Sequence, residues 1–169
     1  MKIRNIIFII IVIICFQNSM LAQIPPGRSC NSNYKAKPTK WSKLANEEKY
    51  QEAIKVLFIE LKNDSLNDKH SIYWHIGQMY AMNDDYKNAI KYFKKSTQFY
   101  FWIFDREYYL YDKGTIAFVK RNKKKLGHCQ KILQKKNSYY YRKNLLTIKS
   151  LNENFDKSYK EAYNLTPSK

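Results

Sequence analysis

The side chains that could take part in catalysis or metal binding are three histidines, His70, His75 and His128, and the cysteine Cys129. His70 and His75 are five residues apart, whereas two metal ligands on one helix face need a spacing of three or four. His128 and Cys129 are adjacent, which on a helix directs their side chains about 100° apart, a poor arrangement for a nucleophile and its base. We therefore expect surface or structural histidines, with no metal site and no cofactor.

Sequence strings that carry well-understood chemistry are absent. The chain has no glycine-rich phosphate loop, no G-x-S-x-G and no H-E-x-x-H. Acidic residues are few, and the pair Asp84-Asp85 is better explained as the start of a helix. The sequence predicts a protein that is not an enzyme and that works through a binding surface.

The clearest periodic pattern in the chain lies between Ser71 and Ser96. Apolar and aromatic residues recur there at i, i+3, i+4 and i+7, the spacing of one helix face. They are Tyr73, Ile76, Gly77 and Tyr80, then Tyr86, Ala89, Ile90 and Phe93. The intervening 83–85 segment, Asn-Asp-Asp, supplies a turn and an N-cap. The pattern predicts two helices folded back on each other, with Gly77 and Ala89 small enough to allow a close approach.

This hairpin resembles the tetratricopeptide repeat, whose signature has an aromatic, a large apolar residue, Gly and Tyr, then Ala and Phe in the partner helix. Those positions are Tyr73, Ile76, Gly77, Tyr80, Ala89 and Phe93. The chain departs from the family where the repeat often closes with proline, since Phe101 stands in that neighbourhood. Another kind of amphipathic helical hairpin would share part of the pattern. The resemblance implies an all-α fold, a right-handed solenoid of three or four antiparallel helix pairs.

Weaker units flank the best one, at about residues 70–100, so that the predicted repeat domain covers residues 39–165. The first has a short helix with Trp41, then a helix with Tyr50 and Leu57. The third runs from Phe104 to Lys136. The fourth has helices at 139–151 and 155–163. Such units bury their apolar faces only by stacking, and no useful stretch alternates with the period of two that a strand requires.

The start of the chain predicts export. Residues 1–22 combine Lys2 and Arg4, an apolar run of about eleven residues and a small residue, Ala22, before the expected cleavage point. Lipidation at Cys15 and an uncleaved anchor are less favoured alternatives. Residues 23–38, rich in Pro, Ser and Asn, form a predicted flexible arm. We expect a bacterial protein that is periplasmic, outer-envelope associated or secreted, without a transmembrane span after leader removal.

The chain is strongly basic, with a formal net charge of +17 that becomes +15 without the leader. An anionic partner is one explanation. The other is genome composition, because Lys, Asn, Ile and Tyr have AT-rich codons and make up nearly half of the chain. The residues predicted to contact an anionic surface, such as lipid headgroups or polysaccharide, are Arg121, Lys123, Lys124, Lys125, Arg142 and Lys143. A solvated run of charges is the alternative, and nucleic acid is not an expected partner of an exported protein.

Two cysteines, Cys30 and Cys129, remain after leader removal. Export permits a disulfide between them. The alternative is a buried Cys129 thiol and an exposed Cys30 thiol. The sequence leaves both interpretations open.

The resemblance implies that the first helix of each pair lines a concave face, where extended peptides or partner helices bind. The residues predicted to form this groove are Trp74, Gln78, Met82, Tyr108, Tyr111 and Thr115. Trp and Tyr are common interface anchors, although a helical stripe of aromatic residues can equally belong to a core. Trp74 and Gln78 do not match the Lys and Asn with which some family members clamp a peptide. A protein or peptide partner in this groove is the leading expectation.

Overall fold

The chain forms eight α-helices and no strand within the residues that the computed structural model describes, which confirms the all-α fold class. The described residues are 39–63, 69–97, 105–136, 138–139, 141–165 and 167. The predicted leader (1–22) and arm (23–38) lie outside them. The helices are α1 (Lys40–Asn46), α2 (Tyr50–Asn63), α3 (Lys69–Met82), α4 (Tyr86–Ser96), α5 (Arg106–Val119), α6 (Lys123–Lys136), α7 (Arg142–Glu153) and α8 (Tyr159–Asn164).

Short polar side chains start several of these helices. The Asp85 carboxylate accepts a hydrogen bond from the Asn88 amide at 3.0 Å, as the sequence predicted for α4. Asp105 does the same for α5, accepting from the Tyr108 amide at 2.9 Å. Each cap satisfies a backbone N–H that has no partner within its own helix.

The turns after α1, α3 and α5 share one backbone conformation. Each has a single residue with positive φ, at positions 48, 84 and 121, with φ values of 59°, 58° and 54°. In each, the amide of the next residue donates to a carbonyl five residues earlier, in the pairs 49 to 44, 85 to 80 and 122 to 117. This pattern ends a helix by satisfying its last carbonyls and turns the chain back for the next helix.

The first helix of each central pair is buried much more than the second. Seven residues of α3 and nine residues of α5 are buried, whereas α4 and α6 bury three each. One face of α3 belongs to an apolar cluster with α2, and the other joins a larger cluster with α4 to α8. We conclude that α3 and α5 are central helices, while α4 and α6 lie at the periphery.

Gly77 permits the close contact between α3 and α4. A Cβ atom added at Gly77 would lie 2.6 Å from Cδ1 of Phe93. Ala89, the other small residue singled out in the sequence, is fully buried. Gly114 has a similar role in α5, because an added Cβ there would lie 2.6 Å from Cδ1 of Ile148 in α7.

The last helix pair differs from its prediction. Its first helix begins at Arg142, not at Tyr139, which is 90% exposed. Its second helix begins at Tyr159, not at Phe155, because the capping box of Ser158 and Glu161 fixes a later start. Residues between the two helices turn instead of continuing the helical stripe.

None of the helices in the described stretches combines the length and the apolar character needed to cross a bilayer.

Replacing Gly77 with Ala should destabilise the protein. Phe93 is fully buried, so its ring has no room to move away from a methyl group placed 2.6 Å from it. Overpacking of this kind typically lowers the free energy of unfolding by about 1–3 kcal/mol. Urea denaturation followed by far-UV circular dichroism measures the change.

Gly127→Ala is the matched control, because a Cβ at Gly127 meets nothing within 4 Å. Alanine favours a helix over glycine by about 1 kcal/mol, so this variant should be at least as stable as the parent chain. A Gly77→Ala variant as stable as Gly127→Ala would contradict the close approach of α3 and α4.

Candidate functional site

The residues predicted to line the groove do not form an open surface together. Trp74, Tyr111 and Thr115 are buried, with exposed fractions of 3%, 6% and 0%. Gln78 is buried too, while Met82 and Tyr108 are half-buried. Trp74 packs between two helices. Its ring centroid lies 4.5 Å from that of Phe93 in α4 and 5.5 Å from that of Tyr111 in α5. These aromatic residues belong to the core, the alternative that the sequence left open.

The short helix α8 covers this face of α3 and α5. Its Tyr159 is fully buried, with its ring centroid 5.9 Å from that of Phe118. The Tyr159 amide donates to the hydroxyl of Tyr86 at 2.9 Å, which links α8 to α4. Tyr163 packs on Tyr159 at 5.5 Å. The chain therefore occupies with its own α8 the groove that the sequence predicted for a partner.

Polar contacts hold α8 in place at both ends. The Arg121 guanidinium donates to the carbonyl oxygens of Phe155 and Lys157, at 2.5 and 3.1 Å. The hydroxyl of Ser150 lies 2.7 Å from the carbonyl oxygen of Ala162. Lys160 pairs with Glu48 at 2.6 Å, which connects α8 to the turn after α1. Sequence periodicity gave no indication of these contacts, because their partners lie far apart in the chain.

An open cleft of about 450 Å³ remains between α1, α3 and α8. Gln78 and Met82, two of the six predicted groove residues, line it. The other lining residues include Trp41, Asn46, Glu48, His75 and Asn164. The sequence missed this cleft, although Trp41 stands out as a tryptophan next to the predicted first helix.

Part of the wall of the cleft is a pair of rings in tilted contact. The centroids of Trp41 and His75 are 4.3 Å apart, with 32° between the ring planes. His75 Nδ1 donates to the Gln78 side-chain oxygen at 3.1 Å. The Gln78 side chain is also hydrogen-bonded with the Tyr159 hydroxyl of α8. The arrangement combines apolar ring surface with oriented hydrogen-bonding groups.

The other residues with chemical potential are dispersed. His70 contacts Ser96, and His128 is exposed on α6. Cys129 is buried, and burial raises the pKa of its thiol, which disfavours the reactive thiolate. Cys30, with which the sequence leaves a disulfide open, lies outside the described residues. In the part of the chain that the structure describes, no group of three His, Cys, Asp or Glu side chains is arranged to hold a metal ion.

The basic residues predicted to act together lie at two separate ends of a hairpin. Only five residues separate the end of α6 from the start of α7, and the side chains of Gln130 and Asn152 are hydrogen-bonded at 2.8 Å, so α6 and α7 run antiparallel. Lys123, Lys124 and Lys125 begin α6, whereas Arg142 and Lys143 begin α7. The two groups are thus separated by about a helix length, roughly 20 Å. Arg121 is engaged in holding the segment before α8.

A carboxylic acid is buried in α5. Asp112 has no exposed surface, and neither carboxyl oxygen has a hydrogen-bond partner among the described residues. Burial, with a smaller effect from the charge of Asp105, raises the pKa of Asp112 to about 8. At neutral pH this side chain is therefore mostly a neutral acid.

No protein-family model, curated protein or solved structure matches the chain. The resemblance to the tetratricopeptide repeat thus stays a prediction from the sequence.

Asp112 should make stability depend on pH. Its pKa is raised on folding to about 8 from an ordinary value of 3.8, so between these pH values the folded chain holds a proton that the unfolded chain releases. The free energy of unfolding should fall as pH rises through this window, by at most about 1.4 kcal/mol per pH unit, and level off above it. Urea titrations at a series of pH values measure the slope.

Asp112→Asn should remove this part of the slope and be more stable than the parent near pH 8. Asp156→Asn, at an exposed position, is the control and should keep the parental slope. Equal slopes in all three proteins would show that Asp112 ionises normally in the folded chain.

Tyr159→Ala should lower the free energy of unfolding by about 3–5 kcal/mol, the range for truncating a fully buried aromatic side chain. Tyr139→Ala is the matched control, since Tyr139 is 90% exposed and such substitutions usually change stability by about 0.5 kcal/mol or less. Thermal and urea unfolding of both variants gives the comparison. Equal stability of the two variants would mean that α8 does not cover the groove in solution.

Proposed function

We propose that this protein is a non-enzymatic, exported interaction module that binds a short extended peptide segment of a partner protein. The binding site is the cleft between α1, α3 and α8. The observation that carries the proposal is the cleft itself, with the Trp41 and His75 rings in contact on its wall. The scaffold we propose for it is a stack of helix pairs similar to tetratricopeptide repeats. This places the partner beside the groove first predicted, at Gln78 and Met82.

The size of the cleft favours a peptide over a helix. About 450 Å³ accommodates a few side chains, and α8 already fills the space that a partner helix would need. Trp41 and Met82 offer apolar surface to one large side chain of the ligand. Aromatic rings and methionine serve this purpose well, because the first are rigid and the second adapts its shape.

The polar residues of the cleft suit a peptide backbone. Asn46 and Asn164 lie among its lining residues, and each amide offers both a donor and an acceptor. Gln78 also lines the cleft, with its side chain hydrogen-bonded to His75 and Tyr159. Glu48 is paired with Lys160, so the cleft carries little net charge. Recognition would therefore depend on shape and hydrogen bonds rather than on the charge of the ligand.

Export of the module is proposed from residues 1–22, whose basic start and apolar run are typical of a secretory leader. The partner would then be a protein of the envelope or of the surrounding medium. The contacts that the cleft makes with the partner would be the same in the envelope and in the medium.

Site-specific photo-crosslinking tests the cleft. The photoreactive residue p-benzoylphenylalanine replaces Met82, which lines the cleft, or Ile59, which is 60% exposed on α2. We expect a discrete crosslinked partner from position 82 in cells of the source organism and none from position 59, with the crosslink mapped to an extended segment of the partner.

Filling the cleft should abolish that product. Asn46 is exposed and lines the cleft, so Asn46→Trp blocks it without disturbing the core. Lys43→Trp places the same side chain on the same helix outside the cleft lining, and should leave crosslinking unchanged. Crosslinking that survives Asn46→Trp, or that is equal at positions 59 and 82, would refute the proposed site.

A further inference from the structure

The exposed faces of the two peripheral helices carry lysine and no acidic residue. On α4 the exposed residues are Lys87, Lys91 and Lys94, which share one helix face. On α6 the sequence of the helix, KKKLGHCQKILQKK, contains no Asp or Glu. Its row at i, i+7 and i+11 consists of Lys124, Lys131 and Lys135, all exposed. Each helix therefore presents a row of positive charges that no carboxylate of the same helix neutralises.

The helix between them extends this surface. α5 contacts both α4 and α6 and is mostly buried, but one strip of it reaches solvent. Arg106 and Lys120 are exposed on this strip, and Tyr109 and Lys113 are half-buried. The Lys113 ammonium lies 4.9 Å from the centre of the Tyr109 ring. The exposed strip of α5 is therefore basic as well.

Contacts between the helices place the exposed strip of α5 beside both rows. A Cβ atom added at Gly114, the neighbour of Lys113, would lie 3.4 Å from Cβ of Cys129 in α6. On its other side α5 packs against α4. We call the surface formed by α4, the exposed strip of α5 and α6 the lysine face.

The carboxylates nearest in sequence are located at helix starts and are occupied there. Asp85 caps α4 and binds Asn88 through both oxygens. Asp105 caps α5 and accepts a hydrogen bond from the Tyr141 hydroxyl. Glu107 is half-buried. Asp84, exposed in the turn before α4, accepts a hydrogen bond from the Tyr86 hydroxyl at 3.2 Å. Within the described residues, no ion pair joins a lysine of the lysine face to any of these carboxylates.

We propose that the lysine face docks the protein on an anionic lipid bilayer. Three adjacent helices, each separated by about 8–10 Å, spread the charges over roughly 20 Å in both directions. Such a two-dimensional array matches a surface of headgroups better than it matches a linear polymer. Nearly all of its cations are lysines, which act as point charges without the fork geometry that selects one phosphate. Each lysine near an anionic leaflet strengthens binding about fivefold.

Vesicle sedimentation of the full chain tests this docking, which does not depend on the peptide cleft. The variant Lys91→Glu, Lys120→Glu, Lys131→Glu changes one exposed residue in each row. The control Lys43→Glu, Lys55→Glu, Lys62→Glu makes the same change in net charge at exposed residues of α1 and α2. Both keep residues 1–22, so any insertion of the apolar run is common to all proteins and is measured with neutral phosphatidylcholine vesicles.

With vesicles containing phosphatidylglycerol, we expect the lysine-face variant to bind about a hundredfold more weakly than the parent and the control to lose much less. Binding of the parent should also fall steeply between about 0.1 M and 1 M salt, as the screening length shortens from about 10 Å to 3 Å. Equal losses in the two variants, or equal binding to neutral and anionic vesicles, would overturn the proposal. So would selective binding of the soluble polyanion heparin in a competition with the vesicles.

Discussion

Aromatic packing among α3, α5 and α8 is the interaction on which the rest of the structure depends. Trp74 lies between Phe93 and Tyr111, and Tyr159 closes the same cluster from the other side. These side chains are large and almost fully buried, so their burial supplies much of the hydrophobic driving force. They also fill the space between α3 and α5, the first helices of the two central pairs. The surfaces that remain for a partner are therefore the cleft beside α1 and the outer faces of α4 and α6.

The sequence predicted the parts of the fold that depend on near neighbours. The helical spacing of Tyr73 to Phe93 identified α3 and α4, and Gly77 marked their close contact, because both signals lie within a single hairpin. The groove could not be predicted in the same way. Whether Trp74 is core or surface depends on Tyr111, which packs on it from 37 positions later in the chain, and periodicity holds no information about such a distant partner. Gln78 and Met82 line the cleft beside α8.

The positive-φ residues in the three turns show that packing overrides local preference. Glu48, Asp84 and Arg121 have different side chains, yet they adopt the same left-handed conformation, which costs a non-glycine residue about 1 kcal/mol. At Arg121 the contacts of the side chain offset this cost. Its guanidinium donates to the segment before α8 and lies 5.3 Å from the Phe155 ring centre. A residue predicted from its charge to bind an anionic surface thus helps to hold the groove closed.

The placement of acidic residues explains how the lysine face arises. The chain has 14 acidic residues against 31 basic ones, and several of the acidic residues serve at helix starts, where the helix dipole and the free amides favour a carboxylate. Asp85, Asp105 and Glu161 are examples. A genome bias toward lysine would account for the number of cations, but not for outer helix faces that lack any carboxylate. Because these acidic residues lie at helix starts, the charged residues at the exposed positions of α4 and α6 are all basic. An anionic surface responds to that field whatever its evolutionary origin.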